Sequence, residues 1–151
     1  MIQRIQSLYL FLAVVALSLV FFFPLANLSN NQDLIIFNIT GFSRFSVLEQ
    51  IITWPLIALN IITILLTLIV IGLYQKRLLQ IRITRIALML NLGFIALMYF
   101  VYGDHLAKMI KMDVNYEIGS VFPLIALVFH VLAIYAINKD ERLIKSIDRI
   151  R

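Results

Sequence analysis

Residues 51–102 read IITWPLIALNIITILLTLIVIGLYQKRLLQIRITRIALMLNLGFIALMYFVY, two apolar runs joined by the basic turn QKRLLQIR at 75–82. An uncharged apolar run of about 20 residues matches the hydrocarbon thickness of a bilayer. Two such runs linked by a few cations predict a transmembrane hairpin. A short link makes the two helices antiparallel neighbours. Outward from this hairpin, the chain offers one further apolar run on each side. Spans are expected at about 7–25, 51–74, 83–102 and 120–137.

The composition agrees. Of 151 residues, 62% are hydrophobic and the mean hydropathy is +0.98. A soluble domain is about 45–50% apolar. The fold class expected is an all-α integral membrane protein, a single four-helix transmembrane bundle over 1–151. The net charge of +5 does not point to nucleic acid, because the cations flank apolar runs instead of forming a soluble face. With no cysteine, disulfides, thiolate chemistry and Cys metal sites are excluded.

The first run, near the N-terminus, is longer than a signal-peptide core of about 7–15 residues, and Phe23-Pro24-Leu25 is not a small-residue cleavage site. It is read as an uncleaved span closed by Pro24. Residues 26–50 form the first outer loop. Within it, 34–40 (LIIFNIT) is rich in β-branched residues and stops before Gly41, which predicts a strand with 42–45 returning as a second. Ser46 and Glu49 have capping-box spacing, so the second helix is expected to start near 46, with Pro55 bending it. Residues 103–119 form the second outer loop. In it, 114–118 (VNYEI) alternates apolar and polar and is expected to pair with the 34–40 strand. Together these strands make a small extracytoplasmic β-patch. Ser120 is expected to cap the fourth helix.

Ten of the thirteen Lys and Arg fall in the N-terminal lead, the basic turn region and the tail. The other three are Arg44, Lys108 and Lys111. The positive-inside rule then places both termini in the cytoplasm.

No carboxylate, Lys or Arg lies in the hydrocarbon part of these spans, which counts against ion-coupled transport. The polar exceptions are Asn60, Asn91 and His130. They could form one intramembrane cluster that binds a ligand or proton. The alternative is helix-to-helix hydrogen bonding worth ~0.6 kcal/mol per contact, and it is favoured because the histidine has no carboxylate beside it. The tail 138–151 reads as a basic amphipathic helix. Arg142, Leu143, Lys145, Ile147 and Arg149 are its candidate contact residues, toward anionic lipid or a cytoplasmic partner. No phosphate loop, metal spacing or nucleophile–His–acid set is present, so no cofactor and no metal are expected.

Residues 1–10 (MIQRIQSLYL) and 138–151 (NKDERLIKSIDRIR) resemble the ends of a family of small four-span proteins of Bacteroidota, the domain of unknown function family 4293. The resemblance implies a bacterial inner-membrane location and carries no activity. The expected function is therefore non-enzymatic: an accessory or scaffold subunit of a larger inner-membrane complex. Its partners would be membrane lipids and other membrane subunits, or further copies of itself. The alternative is a small-molecule or lipid-binding protein using the Asn60, Asn91 and His130 cluster.

Overall fold

The computed structural model describes residues 3–29, 34–43, 53–73, 76–105, 108 and 111–148. Four long helices run side by side and a four-stranded sheet covers one end of them. In order, the elements are α1 (Gln3–Leu19), β1 (Ala26–Ser29), β2 (Leu34–Asn38), β3 (Gly41–Ser43), α2 (Trp54–Gly72), α3 (Arg77–Ala96), β4 (Asp113–Tyr116) and α4 (Phe122–Asp148). A π-helical stretch, Leu97–His105, prolongs α3, and a 3₁₀ turn, Ile118–Val121, leads into α4.

Three of these helical stretches are long and apolar enough to cross a membrane: Trp54–Gly72, Arg77–His105 and Ile118–Arg142. The apolar part of α1, Ile5–Leu19, is shorter. Only 28–33% of each membrane-length stretch is buried inside the protein. Much of the exposed remainder is large and apolar, for example Ile61, Leu65, Leu68, Val128 and Val131. Such faces suit lipid, not water, and the chain is a membrane protein.

The interior divides into two zones. Beneath the sheet, large side chains fill the space where the helix ends converge: Leu25, Leu28, Ile35, Phe37, Phe94 and Met98. Phe37 stacks on Phe42 at 4.6 Å and on Tyr102 at 5.8 Å, binding strands to the end of α3. Down the bundle the core narrows to small residues, with Ala13, Ala16, Leu17 and Ala126 in one layer and Leu10, Val70 and Ala133 in another. Small side chains let helices approach closely in lipid, where there is no hydrophobic force between them.

The sheet has the order β3-β2-β1-β4, antiparallel throughout. This corrects the expected pairing. The second-loop strand β4 pairs with β1, with Leu28 opposite Val114, and not with β2. The four residues of β1, Ala-Asn-Leu-Ser, carry little strand propensity. They are held because Ala26 and Leu28 face the core while both edges of β1 are paired. The ladder extends beyond the strand: Leu25 donates to Phe37 at 2.8 Å and accepts from Glu117 at 3.0 Å. The Asn27 amide adds a 2.7 Å bond to the Glu117 carboxylate. Between β2 and β3 the reversal is a two-residue loop closed by the Asn38–Gly41 pair, and Gly41 has φ +146°, open only to glycine at little cost.

Other boundaries also differ from expectation. α1 stops at Leu19, and residues 20–25 leave the helix and lead into β1, so Pro24 lies in the connection. α2 begins at Trp54 with Pro55 in its first turn, where no intrahelical N–H is lost, so Pro55 starts the helix instead of bending it. The Ser46–Glu49 capping box falls outside the described residues. Ser120 does not cap α4 with an acceptor oxygen; its hydroxyl donates to the Glu117 carbonyl at 2.7 Å. The tail is not a separate helix, because α4 continues unbroken to Asp148.

Candidate functional site

Three helices present polar side chains inward at helical spacing. On α2 they are Asn60, Thr63 and Thr67; on α3, Gln80, Thr84 and Asn91; on α4, His130 and Asp140. The buried face of each of these helices mixes such polar residues with apolar ones, as in Leu56 and Val70 on α2 and Ile81 and Phe94 on α3. The polar ones turn inward because of cost. An amide or imidazole in hydrocarbon needs a partner, and the bundle interior is where partners are.

The three residues singled out by sequence are all 0% exposed. The structure gives each a different partner. Asn60 donates from Nδ2 to the Leu17 carbonyl of α1 at 3.2 Å. Asn91 donates from Nδ2 to the Pro123 carbonyl of α4 at 3.1 Å. His130 Nε2 lies 3.0 Å from Thr67 Oγ1 of α2. The three do not bond to one another. Along the helices, Asn60 is seven residues, about 10 Å, from the level of Thr67 and His130.

The Thr67 hydroxyl also lies 2.7 Å from the Thr63 carbonyl. With one proton on that hydroxyl, two arrangements satisfy the geometry. Thr67 donates to Thr63 while His130 donates from Nε2, or Thr67 donates to an unprotonated Nε2. Thr63 and Thr84 bond back to Leu59 and Gln80, each at 2.7 Å. This places their hydroxyl protons on their own helices.

Sequence reasoning missed Gln6, Thr67, Gln80 and Asp140. Gln80 sits in the stretch read as a basic turn, yet it is 1% exposed and donates to the Val70 carbonyl at 3.3 Å. Asp140 falls in the tail 138–151, outside the expected spans. It is buried, and its carboxylate accepts from the Gln6 amide of α1. The available signal was periodicity: His130, Ala133, Ile137 and Asp140 recur at i, i+3, i+7 and i+10, one face of one helix.

The amides share a pattern. A backbone carbonyl only accepts, so the NH₂ groups of Asn60, Gln80 and Asn91 must face their carbonyl partners. Their oxygens, Oδ1 of Asn60 and Asn91 and Oε1 of Gln80, are then buried acceptors without a donor, as is one oxygen of Asp140. The bundle interior is therefore rich in acceptors. Among the described residues, no three metal-ligating side chains lie together. Of the tail candidates, Arg142 is exposed, Leu143, Lys145 and Ile147 lie on the helical continuation of α4, and Arg149 falls outside the described residues.

At the sheet end, the Tyr116 phenol donates to Asp104 at 3.1 Å and lies 3.3 Å from the Tyr99 carbonyl. The Tyr99 and Tyr116 rings are 4.6 Å apart. Burial, then the hydrogen bond and negative charge of Asp104, push the Tyr116 phenol up to about 12. Gly103 makes this approach possible, since a Cβ there would collide with the phenol oxygen.

The family model described as a domain of unknown function (DUF4293) matches residues 2–150. No curated protein and no solved structure matches the chain.

Proposed function

Since the chain belongs to the DUF4293 family, whose function is unknown, we propose from its geometry that it is a non-enzymatic accessory or scaffold subunit of a larger membrane complex. It crosses the bacterial inner membrane four times, with both termini cytoplasmic and the sheet outside. The apolar part of α1, Ile5–Leu19, is shorter than the usual range of about 17–25 residues, and the apolar residues 20–23 that follow it extend the run. The asymmetry of Lys and Arg sets the orientation.

One observation carries the reading: Asn60, Asn91 and His130 are fully enclosed and each bonds to a neighbouring helix. Their donors hold helices together instead of facing an open cavity. A ligand binder built on these residues needs an entrance to them. With these three residues enclosed, the sheet and the cytoplasmic extension of α4 are the surfaces offered to partners.

The test is a gentle-detergent pull-down of the intact chain against a version ending at Arg142, read by mass spectrometry and native gel. The cut spares Asp140 and its bond to Gln6, so that tie between α1 and α4 is kept. Stoichiometric membrane-protein partners, lost with residues 143–151, are the expected result. A lone monomer or homo-oligomer from both forms would reject the accessory-subunit reading.

A further inference from the structure

A groove of about 260 Å³ runs along the outside of the bundle between α1 and α4, at the end away from the sheet. Ile5 and Tyr9, one turn apart on α1, form one wall. Leu132, Tyr135, Ala136 and Lys139 form the other, at i, i+3, i+4 and i+7 on one face of α4. The small side chain of Ala136 leaves the depression between them. Tyr9 is held in place by stacking on Phe129 at 6.5 Å.

The groove has a direction. Lys139 is exposed and lies near the end of the membrane-length stretch Ile118–Arg142. Leu132 lies seven residues, about 10 Å, deeper along the helix. A cation at headgroup level above a short apolar channel is complementary to a phospholipid with a negative headgroup. Among the described residues no carboxylate lines the groove, and the adjacent Asp140 is turned inward to Gln6. Arg142, exposed one turn further on, adds a second positive charge. Enclosed small-molecule pockets run from about 300 Å³ upward, so this open groove takes part of a chain and not a whole ligand.

We propose that the groove binds one anionic phospholipid, with an acyl chain along Ile5, Tyr9, Leu132 and Ala136 and its phosphate on Lys139. The proposal rests on the membrane location and not on the accessory-subunit reading, so a pull-down without partners leaves it standing.

Native mass spectrometry of the intact chain in detergent tests it. The probes are phosphatidylglycerol and phosphatidylcholine with identical chains, and inorganic phosphate alone. One basic side chain near an anionic headgroup is worth about a fivefold preference. The expected result is a single phosphatidylglycerol adduct retained about fivefold over phosphatidylcholine, with no competition from inorganic phosphate. K139Q should bring the two lipids within about twofold, and A136L should lower retention of both. Leu65→Ala, on the lipid face of α2, should change neither. Equal retention of the two lipids by the unaltered chain, an unchanged preference in K139Q, or displacement by phosphate would overturn the proposal. Lys139 is exposed, so K139Q decides the headgroup contact even where A136L does not fold.

Discussion

The side-chain amide of Gln6 donates to the carboxylate of Asp140, 134 positions away, and ties the first helix to the last. Both side chains are about 5% exposed. Gln6 also reaches the Ala136 carbonyl at 3.4 Å. Gln6→Leu should therefore destabilise the bundle by about 1–3 kcal/mol, the cost of a buried polar group left without its partner. Gln6→Leu combined with Asp140→Leu should cost less than the sum of the two single changes. Thermal unfolding in detergent measures all three. Strict additivity would show that the contact does not couple the helices.

The His130–Thr67 bond should be worth little despite its depth. Hydrogen bonds between membrane helices average ~0.6 kcal/mol, because separated helices also find partners. H130L and T67V should each lower the unfolding temperature slightly, and the double variant should match either one. Loss of folding in H130L, or loss of a co-purifying ligand, would give His130 a role beyond helix contact.

Glycine substitutions should split by position. At Gly119 a Cβ would lie 2.7 Å from the Phe23 carbonyl oxygen and 2.8 Å from the Pro24 carbonyl carbon, both backbone atoms. Backbone cannot rotate away as a side chain can. Gly119→Ala should cost about 1–3 kcal/mol and disturb the sheet end. At Gly93, inside α3, a Cβ meets nothing within 4 Å. Gly93→Ala should stabilise by about 0.5–1 kcal/mol, through helix propensity alone.

The raised Tyr116 phenol makes the sheet end sensitive to alkali. Its folded value of about 12 lies above the ordinary 10. The stabilisation is thus complete below pH 10 and is lost as pH rises through about 12. Phenolate absorbance should include a late-titrating component. Tyr116→Phe should keep the ring contact with Tyr99 and reduce that component by one tyrosine. An unchanged titration in that variant would reject the assignment.

The threading can be read by single cysteines, since the chain has none. Lys108→Cys should label from the outer side of the membrane and Leu78→Cys from the cytoplasm. Leu78 is 61% exposed, whereas the nearby Gln80 is buried and would resist reagent from either side. Reversed labelling would overturn the orientation and, with it, the assignment of the sheet to the outside.

How much was legible depends on the range of each interaction. Trp54–Gly72 could be found because nearly every residue in it prefers hydrocarbon, a property carried residue by residue. β2, β3 and β4 were visible as β-branched or alternating runs near their observed positions. β1 was not, because Asn27 and Ser29 argue locally for a loop, and only pairing with β2 and β4 overrides them. Asn60, Asn91 and His130 stood out as polar residues in apolar runs, but their partners Leu17, Pro123 and Thr67 carry no local sign of that role.

By itself the sequence determined the membrane class, the apolar helices and the uneven placement of positive charge, because hydropathy and charge are local and additive. Only the tertiary structure decided that β4 joins β1, that α4 runs unbroken past the expected boundary, and that Asp140 turns inward to meet Gln6. Those outcomes follow from which backbones come within hydrogen-bonding reach when the helices pack. That reach is set by distant segments together, and no single stretch encodes it.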